Sequence, residues 1–98
     1  MDANEVLRLY KTGERNFREA DWREINLSHA NLSGVDLSGA HLLNADLSYA
    51  DLSYANLNWA GLRGANLKQA NLRGAKMPDG ETHNDHLESA NYFYSINV

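Results

Sequence analysis

Leucine or a close substitute recurs at every fifth residue for most of this chain. The central positions are Phe17, Trp22, Leu27, Leu32, Leu37, Leu42, Leu47, Leu52, Leu57, Leu62, Leu67, Leu72 and Met77. Two residues before each centre sits a small or branched apolar residue, from Ala20, Ile25, Ala30 and Val35 on to Ala75. One residue before, Asn or Asp dominates, as at Asn16, Asp21, Asn26, Asp46 and Asp51. This period suits neither ordinary element. Five residues of α-helix turn through about 500°, so each leucine lands about 140° from the last and no face forms. On a straight strand side chains alternate, and an odd spacing sends every second leucine to the opposite side. The remaining solution is a chain that turns a corner once per repeat and puts each leucine inward. Self-similarity at a fixed short period is the mark of a solenoid.

Ala45-Asp46-Leu47-Ser48-Tyr49, Ala50-Asp51-Leu52-Ser53-Tyr54 and Ala65-Asn66-Leu67-Lys68-Gln69 carry the motif A-(D/N)-L-X-X in full. The run from Arg15 to about Asp79 resembles the pentapeptide-repeat family. His41, Gly61 and Lys76 replace the usual Asn or Asp, and Arg15 opens the run without a small residue. The resemblance implies an all-β solenoid, a right-handed quadrilateral β-helix with four repeats per coil and one per face. It also implies a short α-helix capping the first coil. With four repeats per coil, Phe17, Leu37, Leu57 and Met77 form one inward column and Trp22, Leu42 and Leu62 the next. About three coils at roughly 4.8 Å each give a core only about 15 Å tall, so its ends matter.

The expected organisation is a capping helix over 1–14, the repeat stack over 15–79, and a loop with a cap or association segment over 80–98. At the start, Asp2 and Glu5 have capping-box spacing, and Val6, Leu7, Leu9 and Tyr10 give one apolar side. Gly13 suits the position after the helix. Met77-Pro78-Asp79-Gly80 reads as a turn. Beyond it Leu87 and Tyr92 return in the phase of the array, which leaves open a partial fourth coil. Leu87, Tyr92, Phe93, Tyr94, Ile96 and Val98 form an apolar cluster, expected either to fold back as a cap or to pair two copies as a homodimer.

Composition changes this picture little. The chain has 98 residues, no cysteine and a formal net charge of -4. Disulfides and thiolate metal sites are excluded. No apolar run or leader pattern is visible, so a cytoplasmic location is the expectation, a removed targeting segment aside. No Lys or Arg occurs between Arg23 and Arg63, whereas Arg63, Lys68, Arg73 and Lys76 then follow without an acid until Asp79. The solenoid turns this into an acidic middle coil on a basic third coil, with Asp51 near enough to Arg73 for a surface ion pair.

Enzyme chemistry finds little support. His83-Asn84-Asp85-His86 is the only metal-like spacing, and zinc needs three or four converging ligands. No metal or cofactor is expected. Ser28, Ser33, Ser38, Ser48 and Ser53 follow central leucines and read as outward surface residues, not nucleophiles. The glycines Gly34, Gly39, Gly64 and Gly74 sit at corners, not in a phosphate loop.

One surface feature stands out. Tyr49, Tyr54 and Trp59 occupy the last position of three successive repeats, with Leu43 nearby. Aromatic side chains are enriched at interfaces. The expected function is a non-catalytic protein-binding or scaffold module whose partner the sequence does not name. The alternatives are a DNA-mimicking inhibitor of DNA gyrase, as some members of the resembled family are, or a purely structural stub. Mimicry needs a continuous acidic stripe, and Arg18, Arg23, Arg63, Lys68 and Arg73 interrupt this one. Nucleic-acid binding fits poorly with the net negative charge.

Overall fold

The computed structural model describes residues 1–82. They form one helix followed by a coil of square section, built from single-residue bridges and tight turns. The repeat Ile25-Asn26-Leu27-Ser28-His29 shows how. Leu27 N–H donates to the Asp46 carbonyl at 2.8 Å, and Asp46 N–H donates to the Ile25 carbonyl at 2.8 Å. His29 N–H donates to the Ser48 carbonyl at 2.9 Å. The corner closes with Ala30 N–H on the Leu27 carbonyl at 3.1 Å. Within the stack each bridge is parallel and joins residues twenty apart, as in Asn16 to Asp36 to Asn56 to Lys76, and in Asn31 to Asp51 to Asn71; the bridge at the far end, Lys76 to Thr82, is the exception. Four repeats per turn of the coil follows directly. The extended pieces are shorter than ordinary strands: pairing on each face is confined to isolated bridges among the described residues.

The Asn/Asp column has a local cause. Its Oδ1 accepts the backbone N–H two residues on, as in Asn26 to Ser28 at 3.1 Å, Asp46 to Ser48 at 3.0 Å and Asn71 to Arg73 at 3.1 Å. This Asx turn satisfies an N–H that the coil-to-coil ladder leaves over. Inside, Leu32, Leu37, Leu42, Leu47, Leu52 and Leu57 are fully buried, with the alanine columns beside them. Phe17 and Trp22 pack at 5.3 Å between ring centroids, inclined by 56°. Trp22 Nε1 is buried without a hydrogen-bond partner, as is Ser38 Oγ.

Helix α1 spans Ala3–Lys11. Asp2 caps it, its Oδ1 accepting Glu5 N–H at 2.9 Å. At the other end Gly13, at φ +102°, lets its N–H reach the Tyr10 carbonyl at 3.0 Å while Glu14 N–H reaches the Leu9 carbonyl at 3.0 Å. That pair of bonds is a Schellman motif. Val6 is fully buried in the core, and Ala3, Leu9 and Tyr10 pack against it. Tyr10 Oη donates to the Ser33 carbonyl at 2.7 Å and ties the helix to the first coil. Leu7 departs from the apolar side expected of it: it stands 40% exposed. In a helix so short, Val6, Leu9 and Tyr10 fill the contact arc, and Leu7 lies beyond it.

At the far end the pattern changes. Gly80 N–H donates to the Met77 carbonyl and Met77 N–H to the Glu81 carbonyl, both at 2.8 Å. Lys76 and Thr82 form an antiparallel bridge. The chain reverses here instead of turning another corner. The expected association cluster Leu87, Tyr92, Phe93, Tyr94, Ile96 and Val98, the possible fourth coil, and His83 and His86 all lie outside the described residues.

Candidate functional surface

The corners define the outer surface. From Glu19 to Gly74 each repeat's last residue takes a positive φ: Glu19, Glu24, His29, Asn44, Tyr49, Tyr54, Trp59 and Gln69 do so, as do Gly34, Gly39, Gly64 and Gly74. A type II turn demands this geometry at its third residue, where glycine fits best. A bulky side chain there costs about 1 kcal/mol or more. Tyr49, Tyr54 and Trp59 are nonetheless held there, 47%, 64% and 80% exposed. They mark three successive corners. Tyr49 and Tyr54 therefore flank the face of Asp51 and Ser53, and Tyr54 and Trp59 flank the face of Asn56 and Asn58. Leu43, 41% exposed, sits on another face, so by register it does not join the aromatic corners in one flat patch.

Corner side chains lean along the stack, which sequence reasoning missed. His29 lies flat on Tyr49, with ring centroids 4.9 Å apart and planes within 3°. The Tyr54 ring covers Gly74, and Asn44 covers Gly64. Residues twenty apart share a corner, so a large residue over a glycine was the available signal.

The middle coil corrects the reading of the serines as plain surface residues. Ser38, Ser48 and Ser53 are buried, pressed between the coils on either side. Ser48 Oγ donates to Asp46 Oδ1 at 2.6 Å, and Ser53 Oγ to Asp51 Oδ1 at 2.7 Å. Hydrogen bonds from the Ser48 hydroxyl and then its backbone N–H hold the Asp46 carboxyl below the usual carboxylate range. The Arg23 side chain does the same to Asp21, meeting it at 2.7 Å. Asp36 pairs with Arg18 at 3.6 Å. The expected Asp51–Arg73 pair is not formed among the described residues; Asp51 Oδ1 accepts instead from Ser53 N–H and Oγ. Among the described residues, no three His, Cys, Asp or Glu side chains converge as a metal site would require. No helix among them is long and apolar enough to cross a membrane.

The pentapeptide repeats family model, written as eight copies, matches residues 16–48 and 40–77. A crystal structure of a pentapeptide repeat protein from the cyanobacterium Cyanothece 51142 is similar to this chain. It has 33% identity over 70% of this chain and 54% of its own, with a TM-score of 0.50. A pentapeptide repeat protein of Nostoc PCC 7120 shares 32% identity over 94% of this chain and 93% of its own, at a TM-score of 0.37. HetL of the same Nostoc strain, a pentapeptide repeat protein involved in heterocyst differentiation regulation, shares 43% identity over 69% of this chain at a TM-score of 0.33. This chain spans about half the length of the Cyanothece protein and 36% of HetL. No curated protein matches it. Period, bridge register and sequence match agree, and the chain belongs to the pentapeptide repeat family.

Proposed function

We propose that the chain is a non-catalytic binding module, a rigid peg of right-handed quadrilateral β-helix that presents its corners to a protein partner. One observation carries this reading. Three consecutive corners hold Tyr49, Tyr54 and Trp59 in a backbone conformation that disfavours them, in side-chain positions that the core does not use. Folding is served as well by glycine at Gly34 and Gly74 on the same corner as Tyr54. A partner that wraps one edge of the stack would bury the aromatic rings, the residue types that most often dominate binding energy. The acidic side chains make a poor stripe for gyrase inhibition, because Arg63, Lys68 and Arg73 follow Asp46 and Asp51 one coil on.

The test is affinity capture from native extract with the whole chain as bait. A variant with Tyr49, Tyr54 and Trp59 all changed to alanine serves as the control. The reading expects a saturable protein partner, lost in the triple variant while its melting temperature stays within a few degrees. Capture of the same proteins by both baits would refute it.

A further inference from the structure

An open groove of about 600 Å³ runs between α1 and the first coil, lined by Leu7, Arg8, Tyr10, Lys11, Arg15 and Asn31. Its charge is opposite to that of the chain as a whole. Three cations line it and no carboxylate does, although the net charge is -4. The polar side chains facing it are donors. Tyr10 Oη is already spent on the Ser33 carbonyl, and Asn31 Oδ1 on Ser33 N–H, which leaves the Asn31 amide nitrogen. A groove that offers donors and positive charge selects a ligand rich in acceptors and negative charge.

Two further features say what kind. Arg15 is fixed in advance: its guanidinium lies 3.5 Å from the Tyr10 ring centroid, and Nη1 donates to the Tyr10 and Glu14 carbonyls at 2.8 and 2.9 Å. A preset guanidinium loses little freedom when a carboxylate arrives at its remaining donors. Leu7 and Lys11 are four apart on α1, and Arg8 and Lys11 three apart, so an apolar side chain and two cations share one helix face. Satisfying the helix end does not require them. The Arg8, Leu9 and Tyr10 carbonyls already accept from Thr12, Gly13, Glu14 and Arg15. Neither Arg8 nor Lys11 makes an ion pair among the described residues.

We propose that this groove binds an acidic peptide segment of a partner protein, in which an apolar side chain sits beside the carboxylates. The apolar residue packs on Leu7, and the carboxylates meet Arg8, Lys11 and Arg15. The site is separate from the aromatic corners, which lie one coil or more away along the stack.

The test is a fluorescence-anisotropy titration of the full chain with a short fluorescein-labelled peptide of glutamates with interspersed leucines. Two other probes are compared: the same peptide with serine for leucine, and oligodeoxythymidylate. Saturable binding of the leucine peptide is expected, weakening as salt is raised. Combining Arg8→Ala with Lys11→Ala should weaken it about tenfold or more, and Leu7→Ser should also weaken it. All three substitutions fall on exposed helix positions, and circular dichroism should show the folded chain retained. The triple alanine variant at Tyr49, Tyr54 and Trp59 should bind the peptide normally, which separates this site from the corner surface. Absence of saturable binding, or unchanged binding by the Arg8/Lys11 variant, overturns the proposal. Equal binding of the serine peptide removes the apolar contact from it, and tighter binding of the oligonucleotide reassigns the groove to nucleic acid.

Discussion

The ring of Tyr54 lies over Gly74, one coil further along the same corner, so closely that a Cβ on Gly74 would come within 2.5 Å of the ring. Neither residue touches the core, yet each constrains the other. At the start of the same corner, Gly34 has the same left-handed backbone and open space where a Cβ would go. The two glycines therefore separate backbone strain from side-chain overlap.

Gly34→Ala should cost about 1 kcal/mol, from the positive φ alone. Gly74→Ala should cost more, because the ring must move as well. Adding Tyr54→Ala to Gly74→Ala should return the loss to the Gly34→Ala level. Urea denaturation of these three variants and of Tyr54→Ala alone measures this coupling, and additive costs would show that the ring does not rest on Gly74.

Leu47→Ala should cost about 2–5 kcal/mol by leaving a cavity in the middle coil. Ser48→Ala should cost about 1 kcal/mol, since a buried hydroxyl bonded to Asp46 is lost. A loss from Ser48→Ala indistinguishable from zero would return that serine to the free surface.

Acid should weaken the fold through Asp46. Its carboxyl is held low by Ser48, so the folded chain resists protonation that the unfolded chain accepts. That stabilisation is complete above the ordinary aspartate value and is lost as pH falls below about 4, through the depressed folded value. Stability measured in urea should therefore decline below that pH, and Ser48→Ala should flatten the decline. An unchanged slope in the variant would remove Ser48 as the cause.

The two tryptophans should report opposite environments. Trp22 is fully buried and Trp59 is 80% exposed. Trp59→Phe should leave blue-shifted emission that acrylamide barely quenches, and Trp22→Phe should leave red-shifted emission that it quenches readily. Similar spectra from the two variants would contradict the first coil as described.

Removing Met1 to Thr12 should uncover Phe17 and Trp22 and drive association through the exposed coil edge. Light scattering of the shortened chain tests this. A monomer with an unchanged melting temperature would show that α1 covers nothing essential.

The fold was legible because every inward residue obeys one spacing. Leu27, Leu47 and Leu67 fall twenty apart, and Asn26, Asp46 and Asn66 bridge in that register. The corner geometry was half legible: Gly34, Gly39, Gly64 and Gly74 mark it, but Tyr49 and Trp59 adopt it against their preference. Lateral lean was legible only where a large residue stands over a glycine, as Tyr54 over Gly74; the stacking of His29 on Tyr49 depends on side-chain torsions that a repeat pattern does not encode. The burial of Ser48 was not legible, being set by neighbours a full coil away on both sides. The groove is not legible in the sequence because helical spacing assigns Leu7 to the apolar side of α1, and only the placement of the helix turns it outward.

The twenty-residue bridges also bear on how such a chain finds its shape. Beyond α1, the bonds available locally are the corner bonds, such as Ala30 N–H on the Leu27 carbonyl, and the Asx turns; every bond between coils waits until a whole coil has closed. The first closure must meet its loop entropy without a template. Each later coil then adds to an edge already in place, as neighbours do in other repeat proteins. Folding should begin where local help is greatest, at the end that combines a self-capped helix with the Phe17–Trp22 pair. From there it would run in one direction, with the last coil the slowest to form and the first to fray.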